Sequence, residues 1–316
     1  MSWQGTRVVV TGGGGFLGSH LCDALVSRGA CVTAIDDFSY GSPAHLKTVS
    51  AGVNVVRCRL GEQAESLKEA LEADVLFHLA AVADPRRCKA DFESAFRSNV
   101  LGLKACLESA GRLRRLIFMS SASVYGEPEY VPIDERHPLK GKDPYSVTKA
   151  IGEWLCRHYR ENAGLPITIV RNFNTFGPRQ SGAYLIPTLI GQALSRGKIE
   201  MWNAAPVRDF TFVSDAVAAL MLLAEADGAE GLTVNLGQGA GIRVGELAAG
   251  IAALFGVPLV DLRQEVIGSP ELVCDNARLK AVTGWAPRVS LEEGLRATIE
   301  YFRERNGTGL EPARQP

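Results

Sequence analysis

The sequence predicts an α/β fold, a Rossmann-type doubly wound parallel sheet with a smaller α+β substrate-binding portion. Three observations carry that expectation. Apolar, strand-like runs alternate with helix-like segments through the first half of the chain. A glycine-rich turn stands between the first strand and the first helix, and an acidic residue closes the second strand.

The first strand, Val8-Val9-Val10, is a short run of branched apolar residues suited to burial on both faces of a parallel sheet. It ends in Thr11-Gly12-Gly13-Gly14-Gly15-Phe16-Leu17-Gly18, after which Leu17, Leu21, Leu25 and Val26 share one helical face. A strand that stops in glycines and opens a helix gathers free backbone N–H groups at the positive end of a helix dipole. That combination suits a diphosphate. Glycine alone permits so tight a turn and so close an approach. The second strand, Cys31-Val32-Thr33-Ala34-Ile35, ends in Asp36, about 20 residues beyond the turn. An acid there accepts hydrogen bonds from adenosine ribose hydroxyls and repels a 2′-phosphate, which points to NAD rather than NADP.

Asp37-Phe38-Ser39-Tyr40-Gly41-Ser42-Pro43 reads as a turn-rich loop. A third strand, Val53-Asn54-Val55-Val56, precedes a polar helix at 62–72. The fourth, Val75-Leu76-Phe77-His78-Leu79, runs into Ala80-Ala81, and a longer helix spans 92–110. Leu116-Ile117-Phe118-Met119-Ser120 is the fifth strand; a helix over Pro144–Ala163 leads to a sixth at 167–170. Beyond Gly177-Pro178 the alternation loosens into shorter helices (Leu185–Arg196, Val213–Glu225, Val244–Phe255 and 291–302) and brief strands such as Val234-Asn235-Leu236. The boundaries implied are 1–175 for the dinucleotide-binding domain, with segments at 205–240 returning to it, 176–306 for the substrate-binding portion, and 307–316 for a loose tail.

Composition narrows the function classes. The 316 residues are 46% hydrophobic and 22% charged, ordinary values for a globular chain. A net charge of −1 supplies no field that would gather nucleic acid or an anionic membrane, and neither is expected as a partner. No apolar run approaches the length of a membrane span. The first strand follows Met1-Ser2-Trp3-Gln4-Gly5 so closely that no signal peptide is expected. Seven cysteines, scattered singly without a C-x-x-C pair, read as small core residues, as in a cytoplasmic enzyme. The histidines at 20, 45, 78, 137 and 158 lack the spacing of a metal pair, so no metal is expected; His78, closing a strand, reads as a bonded structural residue.

The chemistry concentrates downstream of the fifth strand. Tyr145 and Lys149 are four apart and share a helical face. An ammonium beside a phenol favours the phenolate and lowers its pKa from about 10 towards neutrality, and a charged nicotinamide adds to the effect. Tyr145 is thereby expected as a general base. Lys149 has a second use, as a hydrogen-bond donor to the nicotinamide ribose.

Taken in order, T-G-G-x-G-F-L-G at 11–18, H-L-A-A at 78–81, S-S-A-S-V-Y-G at 120–126, P-Y-x-x-x-K at 144–149, R-x-F-N at 171–174 and R-D-F-x-x-V-x-D at 208–215 carry a resemblance. Over residues 5–305 the chain resembles the extended short-chain dehydrogenase/reductases, in the NAD-dependent sugar-nucleotide epimerase/dehydratase family. The resemblance implies that Ser121 hydrogen-bonds the reacting sugar hydroxyl, Tyr145 exchanges its proton, and Lys149 holds the nicotinamide ribose and tunes Tyr145. It places NAD against Gly12, Gly15, Phe16, Leu17, Gly18, Asp36, Asp37, Phe38 and Gly41, then against Leu60, Leu79, Ala80, Ala81, Asn99, Tyr145, Lys149 and Phe173. Phe173 reads equally well as a core residue. A nucleotide-diphosphate sugar would meet Ser121, Ser123, Tyr145, Asn174 and Arg208, the last two at its diphosphate, where an arginine fork matches phosphate oxygens. The helices at 92–110 and 144–163 resemble the family's four-helix dimer seam, which implies a homodimer.

Within the family the turn after Ser121 discriminates. Dehydratases, and the uronic acid decarboxylases resembling them, carry an acid two places after the catalytic Ser/Thr. Here that place is Ser123, preceded by Ala122, and S-A-S-V-Y is similar to the 4-epimerases. The expected activity is a nucleotide-sugar 4-epimerase working through a transient 4-keto sugar with tightly bound NAD. A 4,6-dehydratase, decarboxylase or reductase of the same family is the alternative, and a non-catalytic NAD-binding sensor is the alternative from another class. Two departures leave the nucleotide base open. The strand-turn at 201–209 is one residue shorter than the Y-G-D-G-x-x-x-R-D of relatives, and 264–271 offers no basic residue where relatives offer an arginine. At the cofactor, Cys58-Arg59-Leu60 stands where many relatives have Gly-Asp-Ile or Gly-Asp-Leu, so the aspartate contact to the adenine is missing. Arg86 or Arg87 either faces solvent or reaches a substrate, and Asp209 and Asp215 read as helix caps.

Overall fold

The structure is a computed structural model that describes residues 2–49, 52–62, 72–111, 113–265 and 269–306. Apart from its end residues, the helix expected at 62–72 lies outside the described residues, as does the tail at 307–316.

The strands are β1 (Arg7–Thr11), β2 (Cys31–Asp36), β3 (Val53–Arg57), β4 (Val75–His78), β5 (Arg115–Ser121), β6 (Ile167–Asn172), β7 (Asn174–Phe176), β8 (Ile199–Met201), β9 (Val207–Phe212), β10 (Thr233–Leu236), β11 (Gly241–Arg243), β12 (Leu259–Asp261) and β13 (Glu271–Leu272). Seven of them form the main sheet in the order β3-β2-β1-β4-β5-β6-β10, with every pair parallel. The winding direction reverses between β1 and β4. A crevice opens at the carboxyl ends of such a pair, and ligands of doubly wound sheets bind there.

The described helices are α1 (Phe16–Ser27), α2 (Pro85–Ala90), α3 (Phe92–Phe96), α4 (Gly102–Ser109), α5 (Pro144–Ala163), α6 (Leu185–Arg196), α7 (Val213–Glu225), α8 (Val244–Phe255), α9 (Ala277–Thr283) and α10 (Leu291–Asn306). Alternate strand residues point to opposite faces, and each face has its own core. Val8 and Val10 join Leu21 and Leu25 of α1 and Ala216 and Leu220 of α7. Val9 faces the other way, into the cluster that Leu103 and Cys106 of α4 share with Cys156 of α5. A third core, around Phe176, Leu189, Ile190, Leu247 and Leu295, lies beneath a smaller sheet in which β9 pairs with β7, β11 and β13.

Two features depart from the sequence reading. Strand β9, within the segment expected to return to the large sheet, belongs to the small one, and only α7 and β10 return. The strand's Val-Arg-Asp-Phe-Thr-Phe pattern lacks the continuous apolar character that a central parallel strand requires, whereas α7 buries nine of its residues. The helix expected at 92–110 is broken into α3, a π-helical turn at Arg97–Leu101, and α4. Asn99 sits in that wide turn, and its side chain is bonded on both sides. It accepts from Val82 N at 2.7 Å and donates to Val82 O at 3.1 Å and Thr148 Oγ1 at 3.0 Å. Helix α5 is tightly framed: Asp143 accepts from Ser146 N at 3.0 Å, Pro144 opens the first turn, and Gly164 closes it at φ 66°. Those caps fix Tyr145 and Lys149 in its first two turns.

Candidate active site

Gly12 turns the chain at φ 72°, and a Cβ added there would stand 2.8 Å from Ala80 N. The glycine turn after β1 therefore packs backbone to backbone on the turn after β4. Leu79 N donates to Thr11 O and Ala80 N to Thr11 Oγ1, while Gly15 N donates to Gly12 O at 3.0 Å. Helix α1 is capped by Gly15 without a side-chain hydrogen bond, and its first turn holds no acid, so its leading N–H groups are open to an anion. Asp36 spans the turn, accepting from Gly14 N at 2.9 Å and Phe38 N at 2.7 Å. Each carboxylate oxygen keeps a lone pair, and burial pushes the group's pKa up despite those bonds. Open backbone donors at the head of α1 and a fixed acid at the end of β2 together suit a dinucleotide.

The neighbouring residues are placed as follows. Phe16, Leu17 and Ala81 are half-buried at the groove, and Gly41 approaches Gly14 closely. Phe38, at φ 58°, lies against Gly14. Asp37 accepts from Ser39 and pairs with Arg59 at 3.1 Å, so the arginine that replaces the family's aspartate is tied to the β2 loop. Leu60 is buried against Gly102. Substituting Gly12 by alanine forces a Cβ into the Ala80 backbone at a left-handed φ. We expect roughly tenfold or greater loss of NAD affinity by calorimetry; parental affinity would show that the turn does not bind the dinucleotide.

At the end of β5, Ser121 Oγ accepts from Ser123 N at 3.1 Å, and its hydroxyl acts on the Tyr145 phenol in the direction that favours the phenolate. The Tyr145 ring packs on Val82, Cys88 and Ala95. Ser123 Oγ is buried without a hydrogen-bond partner among the described residues, a hydroxyl free for a ligand. Lys149 Nζ donates to Met119 O at 2.8 Å and stands 5.9 Å from the Tyr145 ring centroid. The electrostatics differ from the sequence reading. Burial pushes the phenol of Tyr145 above its ordinary value, with Tyr184 acting in the same direction and the Ser121 hydrogen bond opposing. Burial also pushes Lys149 down to about 8. Desolvation is the largest cause of both shifts, because a dry site favours the neutral form of each group.

The remaining side chains are placed as follows. Phe173 is buried with Tyr125, Val124 and Ile133, so its ring is core packing. Asn99 clamps Val82 rather than lining an open surface. Asn174 donates to Asp209 O at 3.0 Å. Arg208 meets only carbonyls, those of Val207, Ser269 and Pro270, and no carboxylate pairs with it among the described residues. Its charge is thus uncompensated, and burial lowers its pKa. Asp209 and Asp215 cap no helix by their side chains. Asp209 gathers Gln238 N, Gly239 N and Cys274 N, and burial pushes it up to about 6; Asp215 holds Arg288 N and Val289 N. His78, bonded to Thr11 Oγ1 at 3.0 Å, is pushed down to about 3 by burial. Arg86 pairs with Asp84 at 3.3 Å. Among the described residues no cluster of metal-ligating side chains occurs, and no helix is long and apolar enough to cross a membrane.

Sequence reasoning missed a buried network beneath this surface. Arg171 is bidentate to Glu153 at 2.9 and 2.8 Å and reaches the Tyr125 hydroxyl at 3.0 Å, and Ser120 Oγ donates to Glu153 at 2.7 Å. The signals were present: an arginine inside an apolar strand, and an acid one turn beyond Lys149. Tyr184, beside Tyr145, left no comparable mark.

A profile of the NAD dependent epimerase/dehydratase family matches residues 8–237. The chain belongs to that family, and NAD is its cofactor. Such proteins are NAD-dependent epimerases, dehydratases and decarboxylases, and the relatives span these reactions. A UDP-N-acetyl-alpha-D-glucosaminuronate decarboxylase of Bacillus cytotoxicus is 31% identical over 94% of this chain and 98% of its own. A UDP-glucose 4-epimerase of Mycolicibacterium smegmatis is also 31% identical, over 95% and 99%. The structure of the UDP-glucuronic acid 4-epimerase from Bacillus cereus, in complex with UDP-glucuronic acid and NAD, superposes with a TM-score of 0.88 at 28% identity, covering 95% of this chain and 99% of that one.

Proposed function

We propose that this member of the family is a nucleotide-sugar 4-epimerase that inverts C4 through a transient 4-keto sugar. The observation that carries the reading is the turn at Ala122–Tyr125: beside Ser121 and Tyr145 it offers the unpartnered hydroxyl of Ser123 and no carboxylate. Dehydration or decarboxylation needs proton management at carbon, for which an acid in this turn is the natural supplier; epimerisation needs proton transfer only at the C4 oxygen. Bound NAD supplies the hydride acceptor and donor. Ser121 holds the C4 hydroxyl, Tyr145 takes its proton and later returns it, and Lys149 orients the nicotinamide ribose. Arg208, with Asn174 beside it, supplies a cation for the substrate diphosphate. Exposed Phe92, Leu101 and Trp154, on α3, the π-helical turn and α5, support a homodimer built on that face. The seven free cysteines accord with a reducing compartment.

Incubation with a panel of UDP-, dTDP-, CDP- and GDP-sugars, followed by NMR, is expected to reveal C4 inversion of one of them. Release of carbon dioxide or water instead would replace this reading by a decarboxylase or a dehydratase.

A further inference from the structure

Strands β2 and β4 flank β1 on its two sides, so the loops that follow them form the two walls around the glycine turn. Tyr40 lies in the β2 loop, Arg87 in α2 beyond β4. The two meet: the Arg87 guanidinium stands 4.7 Å from the centroid of the Tyr40 ring. The contact therefore runs from one wall of the NAD groove to the other.

Both ends are anchored close to their side chains. Beside Tyr40, a Cβ added to Gly41 would stand 2.6 Å from Gly14 C, and Ser42 N donates to Gly14 O at 2.9 Å. His45 Nδ1 lies 3.0 Å from the same oxygen. On the other wall, Asp84 caps α2 by accepting from Arg86 N at 2.9 Å, and Cys88 N donates to Asp84 O. Arg86 takes the Asp84 carboxylate, and no carboxylate pairs with Arg87 among the described residues. The face of the Tyr40 ring is what the Arg87 charge rests on. Two exposed side chains held together in this way stabilise whatever lies beneath them only if parting them is required for its exit.

We propose that Tyr40 and Arg87 form a clasp across the NAD groove that slows release of the bound dinucleotide. A protein that reuses one cofactor in every turnover gains from such retention. The inference deepens the reading above but depends only on the family's NAD groove, so no sugar enters its test.

The test is the rate at which NAD leaves the loaded protein into an excess of a second dehydrogenase and its substrate, followed as NADH absorbance. Arg87→Ala and Tyr40→Ala are each expected to accelerate release roughly two- to fivefold, the range for an exposed cation–π contact. Tyr40→Phe, which keeps the ring face, should release at the parental rate, and the double alanine variant no faster than either single one. Both side chains are exposed, so unchanged melting temperatures are expected. Parental rates in the two alanine variants would overturn the clasp. Acceleration by Arg87→Ala alone would overturn it too, by showing that the cation acts on the cofactor without the ring.

Discussion

Tyr145→Phe is expected to lower kcat by about 10²–10⁴-fold on whichever sugar nucleotide the parent protein turns over. KM should change little, because the phenol oxygen acts in proton transfer more than in binding. The expectation follows from placement: the phenol feels the Ser121 hydroxyl, and the ring is fixed against Val82, Cys88 and Ala95. It has a pH signature whose sign is set by burial. Because burial raises the phenol's pKa, the basic form is the minor one at neutral pH, and its fraction grows tenfold for each pH unit gained. The parent's kcat/KM should therefore climb through the alkaline range, and the climb should vanish in Tyr145→Phe. Steady-state kinetics with a constant NAD content checks both. Turnover by the variant within a few-fold of the parent would remove Tyr145 from the chemistry and revive the reading of a non-catalytic NAD-binding protein.

The large sheet was legible because its strands are fully apolar runs and its connections are helical. Val8-Val9-Val10 and Leu116-Ile117-Phe118, bounded by turn residues, suit strands buried on both faces of a parallel sheet, and both lie there. The glycine turn was legible for a similar reason, since a positive φ at Gly12 and a backbone-to-backbone contact with Ala80 exclude every side chain. Where the pattern was weaker, the reading slipped. Nothing in Phe92 to Ala110 marks the π turn, because its cause is a tertiary bond from Asn99 to Val82, far off in sequence.

The site was legible in its residues and less so in its energetics. The four-residue spacing of Tyr145 and Lys149 put both on one face, and that holds. It could not say that the ammonium would be engaged by the Met119 carbonyl, nor how completely either group would be dried. Desolvation depends on what packs from other elements, here Val82, Cys88 and Phe118, and a local spacing carries no information about it. For the same reason Phe173 stayed ambiguous until the cluster around Tyr125 gave it neighbours.

The second large effect belongs to a residue that touches no ligand. Glu153→Ala leaves the Arg171 guanidinium, whose side chain is only 3% exposed, without its bidentate partner, and such losses cost about 3–5 kcal/mol. The same carboxylate also receives Ser120 Oγ and Arg157 Nη2. Through Ser120 it steadies the strand end that carries Met119 O, the anchor of Lys149, and Ser121, the partner of Tyr145. Loss of stability should therefore be accompanied by loss of turnover, although Glu153 lies behind the site. Chemical denaturation of Glu153→Ala, Arg171→Met and the double variant separates the terms. Each single change should be strongly destabilising, and the double variant should fall well short of their sum, because removing both charges abolishes the unpaired one. Additive losses, or single losses under about 1 kcal/mol, would show that this pair behaves as an exposed ion pair does and that the active-site strand is held by apolar packing alone.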